Sequence, residues 1–477
     1  MAASKAYNRA LKLWATQEYE RRFISDRDRG FILSGVGMGK TPTMLTAASD
    51  LLADGKKVAI VTKKSLVRQL KDEAARWLPP KYQPVEWEAA RFPRDESRPI
   101  VLTYDLMNRR IDQVVEVGFD VVLADEAHHL CGGSVVADSF RRVAAPADKA
   151  FLFTATPVQD LTGLDLIHLM HAGGFVGVPT PEQHEQHFIL DRLGRPTNVD
   201  REGRETCQNL IRRYGIRHEA TAGMVPTVNY RTHPVPAPPS HHRQRDQRTA
   251  SRNADCLVPE VVRLLATVYA HHDKAVIFTE NFDLLEPLRL ALKRAGIGHL
   301  AITGKADAKK RADFIRQWAS DPNVRVLLGT SVLEQGLNLQ RASLVMAVVE
   351  TYVPQRGDQL AGRIARPGST FTEVDYAAVH MDIGHEKRKA SRSEGKFRLA
   401  YELLSKVPTG QELAALESAA VIPSCVHGPL TPRSGVSART GLPYHGWYCL
   451  SRPGPCRPEW HQDTATWDYL SRMATPR

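Results

Sequence analysis

The sequence predicts an α/β protein: two tandem, doubly wound parallel-sheet lobes with helical insertions, followed by a small C-terminal module. Three observations predict it. Short apolar, β-rich runs alternate with longer helix-compatible segments, as they must when helices cover both faces of a parallel sheet. The runs fall into two series separated by a polar stretch. Each run is near-continuous Val, Ile and Leu rather than alternating, the mark of strands buried on both faces.

In order, the first series places strands at 31–33, 58–61, 100–102, 121–124 and 151–153. Residues 162–231 read as a polar helical insertion, so the first lobe is expected to cover 1–233. Residues 234–253 are rich in Pro, His, Arg and Gln and lack an apolar period, which predicts a linker. The second series places strands at 275–278, 300–302, 326–328, 344–348 and 376–379, in a lobe spanning 254–384. A basic helical connector is expected at 385–422. A Pro/Gly/Ser-rich module follows at 423–463 and holds three of the six cysteines, Cys425, Cys449 and Cys456.

Composition narrows the function classes. The chain has 477 residues, 42% of them hydrophobic, and a formal net charge of +11. That excess favours polyanionic partners, whose condensed counterions are released on binding. No apolar run approaches the roughly 20 residues needed to span a bilayer, and the N-terminus lacks the apolar centre of a secretory signal. An intracellular, soluble protein without membrane partners is expected. Six cysteines in this length are not a disulfide framework.

Ser34-Gly35-Val36-Gly37-Met38-Gly39-Lys40-Thr41 follows a predicted strand and opens a predicted helix. In that context Gly35, Gly37 and Gly39 let backbone N–H groups close on phosphate oxygens, and the helix N-terminus adds positive dipole. Lys40 is expected to reach the β- and γ-phosphates of ATP, and the Thr41 hydroxyl to ligate Mg²⁺. A second apolar strand runs into Asp125 and Glu126. At the carboxyl edge of a doubly wound sheet, Asp125 would hold Mg²⁺ and Glu126 would polarise the attacking water.

Further motifs carry a resemblance. Asp125-Glu126-Ala127-His128 resembles the DEAH form of motif II in superfamily 2 helicases and translocases. Thr154-Ala155-Thr156-Pro157 resembles their motif III, the stretch from Gly329 to Leu339 their motif V, and the stretch from Gln359 to Arg366 their motif VI. The Swi/Snf-like branch fits best, on Thr156-Pro157-Val158-Gln159-Asp160 and Gly336-Leu337-Asn338-Leu339, although Pro367-Gly368-Ser369 stands where that branch usually has Ile-Gly-Gln. The resemblance implies two RecA-like lobes with ATP between them. It implies arginine fingers at Arg363 and Arg366, nucleotide contacts from Gln359, and adenine recognition by Gln17. It also implies coupling and nucleic-acid contact by His128, Thr154, Thr156, Thr330, Gly336, Asn338, Tyr104 and Lys64. The expected activity is ATP-dependent movement on single- or double-stranded DNA. The alternatives are an RNA helicase and a nucleic-acid-binding ATPase switch that does not translocate. Short spacing between motifs suits a compact bacterial or viral motor, cytoplasmic in either case.

In the C-terminal module, thiolate and imidazole side chains near turns suggest one tetrahedral Zn²⁺ site. The expected ligands are Cys425, His427, Cys449 and Cys456, with His461 as the alternative to His427. The pattern resembles GRF-type zinc fingers, which implies binding of single-stranded nucleic acid.

Overall fold

The computed structural model describes residues 11–412 apart from 36, 89–92, 94–96, 219–224, 237–248, 304–307, 331–332, 334–338, 349–353, 367–368, 383–394 and 397; beyond 412 it describes only 424–425, 428–429, 431–436 and 443–448. The first lobe runs α1 (Ala15–Asp26), β1 (Arg29–Ile32), α2 (Lys40–Ala53), β2 (Val58–Thr62), α3 (Lys64–Trp77), β3 (Val85–Glu86), β4 (Ile100–Thr103), α4 (Tyr104–Arg109), α5 (Ile111–Val117), β5 (Val121–Asp125), α6 (Val135–Ala144) and β6 (Lys149–Phe153). It continues through α7 (Leu164–Ala172), α8 (Pro181–Glu185), β7 (Phe188–Leu190), β8 (Pro196–Val199), α9 (Arg201–Tyr214) and β9 (Gly215–Ile216). The sheet order is β3-β4-β2-β5-β6-β1-β9, and every pairing is parallel. All five residues of β2 and of β5 are buried. Each fully buried Val, Leu or Ile contributes roughly 1.5–3 kcal/mol, so these central strands fix the sheet on which the site is built.

The second lobe runs β10 (Thr227–Val235), α10 (Thr249–Ala266), β11 (Ala275–Phe278), α11 (Phe282–Arg294), β12 (His299–Ile302), α12 (Ala308–Ser320), β13 (Val326–Gly329), β14 (Leu344–Val348), α13 (Pro354–Ile364) and β15 (Glu373–Met381). Its order is β10-β15-β14-β11-β13-β12, again all parallel. Two parallel α/β sheets with helical crossovers fit tandem RecA-like domains, and the expected strands lie within or overlap the observed ones.

The structure corrects three boundary expectations. Residues 227–233 belong to the second lobe, because β10 pairs with β15 along its whole length. As an edge strand it is largely exposed, and so it carries none of the continuous apolar signal of its neighbours. Residues 249–253 of the expected linker are already helical in α10. The insertion at 162–231 is not purely helical either: β7 and β8 form an antiparallel ribbon within it, with Ile189, Leu190 and Leu193 exposed.

The expected connector also does more than connect. Residues 398–404 are helical, and Leu399, Ala400, Leu403 and Val407 share a core with Leu210 and Ile211 of the first lobe. Glu402 accepts hydrogen bonds from Arg204 Nη1 and Gln208 Nε2, both at 3.0 Å. A second compact unit begins at Pro408. Beyond 412 its described residues form two antiparallel ribbons, β16 (Ser424–Cys425) with β17 (Gly428–Pro429) and β18 (Thr431–Val436) with β19 (Pro443–Tyr448). Among the described residues no helix is long and apolar enough to cross a membrane.

Candidate active site

The glycine-rich loop leaves the carboxyl end of β1, and the acidic pair ends β5, two strands away across β6. The loop is shaped by two left-handed glycines, Gly37 (φ +81°) and Gly39 (φ +74°), the latter capping α2. A Cβ on Gly39 would collide with the Gln17 amide, and one on Gly37 would press on Arg366. Both glycines are therefore required by conformation and by close approach. Lys40 Nζ donates to the carbonyls of Ser34 (2.8 Å) and Gly35 (3.0 Å). Its ammonium is folded back on the loop, where phosphate oxygens could replace these carbonyls. Burial lowers its pKa, while Glu126, Asp125 and Glu20 pull in the opposite direction.

Asp125 ends a fully buried strand and is held from two sides. Its Oδ2 accepts from Thr62 Oγ1 at 3.1 Å, and its main-chain carbonyl accepts from Tyr104 Oη at 2.8 Å. Among the described residues Glu126 is the sole non-glycine with positive φ, at +50°. A left-handed non-glycine costs on the order of 1–3 kcal/mol, a strain that turns the chain sharply as the strand ends. His128 Nδ1 lies 3.3 Å from Glu126 Oε2, an ion-pair distance without the alignment of a good hydrogen bond. Burial and the neighbouring Glu126 charge push Asp125 up to about 6. Burial also opposes ionisation of Glu126, but His128, Lys40 and Arg363 outweigh it and hold the carboxyl well below its ordinary range.

From the second lobe, Arg363 on the last turn of α13 and Arg366 just beyond the helix end reach the same cavity, of about 220 Å³, that Gly37, Gly39, Lys40, Thr41, Asp125 and Glu126 line. Arg363 is buried. Arg366 Nε donates to the Gly362 carbonyl at 3.0 Å, and burial together with Arg363 lowers its pKa to about 9. Thr41 and Asp125 offer oxygen donors on one wall, a set suited to a hard cation such as Mg²⁺. Of the other expected site residues, Gly336, Asn338, His427, Cys449 and Cys456 lie outside the described residues, as do the side chains of Gln359 and Cys425.

Tyr104 is a correction. Expected on the nucleic-acid surface, it is buried, with its hydroxyl committed to the Asp125 carbonyl. It braces the acidic strand instead. Lys64 is exposed at the start of α3, on the carboxyl edge of the sheet. Thr154 is buried and accepts from the Thr156 N–H at 3.0 Å. The hydroxyls of Thr156 and Thr330 are buried without hydrogen-bond partners among the described residues.

Two residues link α1 to the loop in ways the motifs did not announce. Gln17 Oε1 accepts from the Trp14 N–H (2.8 Å) while its amide donates to the Gly39 carbonyl (3.0 Å). Its acceptor is thus already engaged, and the side chain ties α1 to the head of α2. Glu20, 1% exposed, accepts from the Ser34 and Thr43 hydroxyls and lies 4.0 Å from His218. Ser34, at a loop position where the phosphate-loop pattern has glycine, donates its hydroxyl hydrogen to Glu20. An i, i+3 step from Gln17 was the available signal for Glu20.

Burial raises Glu20 to about 7 despite hydrogen bonds from Ser34 and Thr43. A carboxyl raised above its unfolded value favours folding fully at pH below that value, and the contribution is lost as pH rises through about 7. Glu20→Gln should therefore gain stability relative to wild type between pH 5 and 8, by about 3 kcal/mol at the upper end. Thermal melts across this range check it. A wild-type advantage that grows with pH would contradict the assignment.

Residues 4–159 match the family described as Type III restriction enzyme, res subunit, and residues 258–368 match the helicase conserved C-terminal domain. Among curated relatives, the DNA repair and recombination protein RAD54B of Gallus gallus is 25% identical over 211 residues, 40% of this chain and 23% of that protein. The pre-mRNA-processing ATP-dependent RNA helicase prp5 of Aspergillus terreus is 27% identical over 180 residues, 34% of this chain and 15% of that protein. The chain thus spans less than a quarter of the length of either relative. A Sulfolobus solfataricus SWI2/SNF2 ATPase core in complex with dsDNA aligns with TM-score 0.42 and 16% identity, over 84% of this chain and 98% of that one. The two family matches fall in order along the chain, the first spanning the glycine-rich loop and the acidic pair and the second spanning the arginine-bearing helix.

Proposed function

We propose that this protein hydrolyses ATP between its two lobes to translocate along, or remodel, DNA. One observation carries the reading: Lys40, Thr41, Asp125 and Glu126 of one lobe and Arg363 and Arg366 of the other line a single cavity. Lys40 exchanges its loop carbonyls for phosphate oxygens. Glu126, kept ionised by His128, Lys40 and Arg363, accepts a proton from the attacking water. Arg363 and Arg366 stabilise charge developing on the transferred phosphoryl group. Mg²⁺, held by Thr41 and Asp125, would neutralise phosphate charge in the bound state. Gln17 has a second amide hydrogen for the base, beside the one given to Gly39.

Because the fingers sit on one lobe and the loop on the other, occupancy changes the force between lobes. That is the condition for stepping along a phosphate backbone. The net charge of +11, Lys64 on the carboxyl edge and the DNA-repair naming of one relative favour DNA. The RNA helicase among the relatives keeps RNA as the second reading. The decisive measurement is ATP turnover with single-stranded DNA, duplex DNA and RNA, beside a strand-displacement assay. One DNA form should stimulate turnover most. Stimulation by RNA alone would move the substrate to RNA, and turnover indifferent to all three would sink the motor.

The C-terminal unit is proposed to bind one Zn²⁺ through Cys425, His427, Cys449 and Cys456. A small segment rich in turns needs such a staple in place of a core, and the short ribbons that carry Cys425 and precede Cys449 support the reading. Cys449→Ser should lower zinc by one equivalent per chain in metal analysis. Unchanged zinc would remove Cys449 from the set.

A further inference from the structure

A second cluster lies at the amino-terminal edge of the second sheet, the edge opposite the one that carries nucleotide motifs. His271 and His272 precede β11, Ser343 precedes β14, and Asp375 is near the start of β15. One ligand atom from each of His271, His272 and Asp375 lies within 4.8 Å of the others. The two imidazole rings are 4.1 Å apart, His271 exposed and His272 only 6% exposed. His272 Nε2 is 2.9 Å from Asp375 Oδ2, and its Nδ1 is 2.7 Å from Ser343 Oγ.

The charge of this group is under-compensated. Asp375 is 8% exposed, and its Oδ1 is buried with no hydrogen-bond partner among the described residues. A buried carboxylate with one neutral imidazole as its partner leaves most of its acceptor capacity unused, a costly state. The nearby cations are committed elsewhere. Arg325 donates to the carbonyls of His272, Leu265 and Tyr269, and Lys274 Nζ donates to those of Asp321 and Val324.

We propose that His271, His272 and Asp375 bind a borderline divalent transition ion of the zinc class, which pins the start of β15 to the loop entering β11. Two imidazoles and a carboxylate are a zinc-type donor set, with the solvent side by His271 open for water as fourth ligand. Seating the ion requires the His272-to-Asp375 gap to widen by only a few tenths of an ångström, given metal–ligand bonds of roughly 2.0–2.2 Å. The neutral His272 ring shifts its proton from Nε2 to Nδ1, which then donates to Ser343 Oγ. No proton is lost. Ser343 becomes the outer hydrogen-bond partner that fixes ring orientation, as metal-bound histidines require.

The test uses the full chain in a Cys449→Ser, Cys456→Ser background, stripped with chelator and titrated with Co²⁺ and then Zn²⁺ at equimolar metal. The parent should retain one equivalent after dialysis. Its cobalt form should show d–d absorption without thiolate charge transfer. His271→Ala, which changes an exposed side chain and should leave ATP turnover intact, should lose that equivalent. Ser343→Ala should weaken binding by roughly 10–100-fold. Metal should raise the unfolding temperature of the parent and not of His271→Ala. Equal retention by parent and His271→Ala, or binding only at large metal excess, would overturn the site.

Discussion

Lys40→Ala should reduce nucleic-acid-stimulated ATP hydrolysis by on the order of 10²–10³-fold, the usual effect of removing one preorganised charge-stabilising donor. The ammonium is buried against two loop carbonyls and within electrostatic reach of Glu126 and Asp125. Alanine leaves those carbonyls and carboxylates facing an incoming polyphosphate without the loop ammonium between them. ATP affinity and turnover should therefore fall together. Glu126→Gln separates the two effects. It keeps the volume and the backbone turn at φ +50° while deleting the base, so ATP should still bind and turnover should fall by a similar factor. Nucleotide binding measured beside steady-state turnover checks both variants. Turnover surviving in either would move the chemistry away from this cavity.

The fold was legible where burial was two-sided. Strands such as Val121–Asp125 and Leu344–Val348 are buried throughout, so every position short of the terminal Asp125 is apolar and the runs stood out. The edge strand Thr227–Val235 is largely exposed and half polar, so nothing in its composition separated it from a linker. The two ends of the nucleotide site were legible for a related reason: glycine, lysine and paired carboxylates at strand ends are demanded by the chemistry itself. Support residues were not. Tyr104 at a strand end reads as a surface contact, and only packing reveals that its hydroxyl serves the Asp125 carbonyl. Glu20 sits on an amphipathic helix where a carboxylate normally faces water, and the Ser34 and Thr43 hydroxyls that accommodate it are distant in sequence. The return of residues 398–407 to the first lobe's core depends on where the chain travels after the second lobe, which periodicity does not encode.

Arg363→Ala should lower maximal turnover by about 10³-fold, the lower range for an arginine finger, with a much smaller change in ATP affinity. The reasoning is electrostatic. Arg363 is buried in the cavity wall and already biases groups across the cleft, disfavouring the charged form of Lys40 and favouring that of Glu126. Positive charge from two lobes thus converges on one cavity, and the species with the most negative charge to accommodate there is the transition state. Arg363→Lys should not restore turnover, because a point charge on a flexible stem lacks the planar fork that meets phosphoryl oxygens. Arg366 differs in kind. Its Nε is bound to the Gly362 carbonyl and its stem packs close to Gly37. Arg366→Ala should therefore loosen the loop as well as remove charge, raising the KM for ATP along with lowering kcat. If Arg363→Ala kept wild-type kcat while Arg366→Ala lost it, the finger would be Arg366 alone, presented from the segment just beyond α13 rather than from the helix itself.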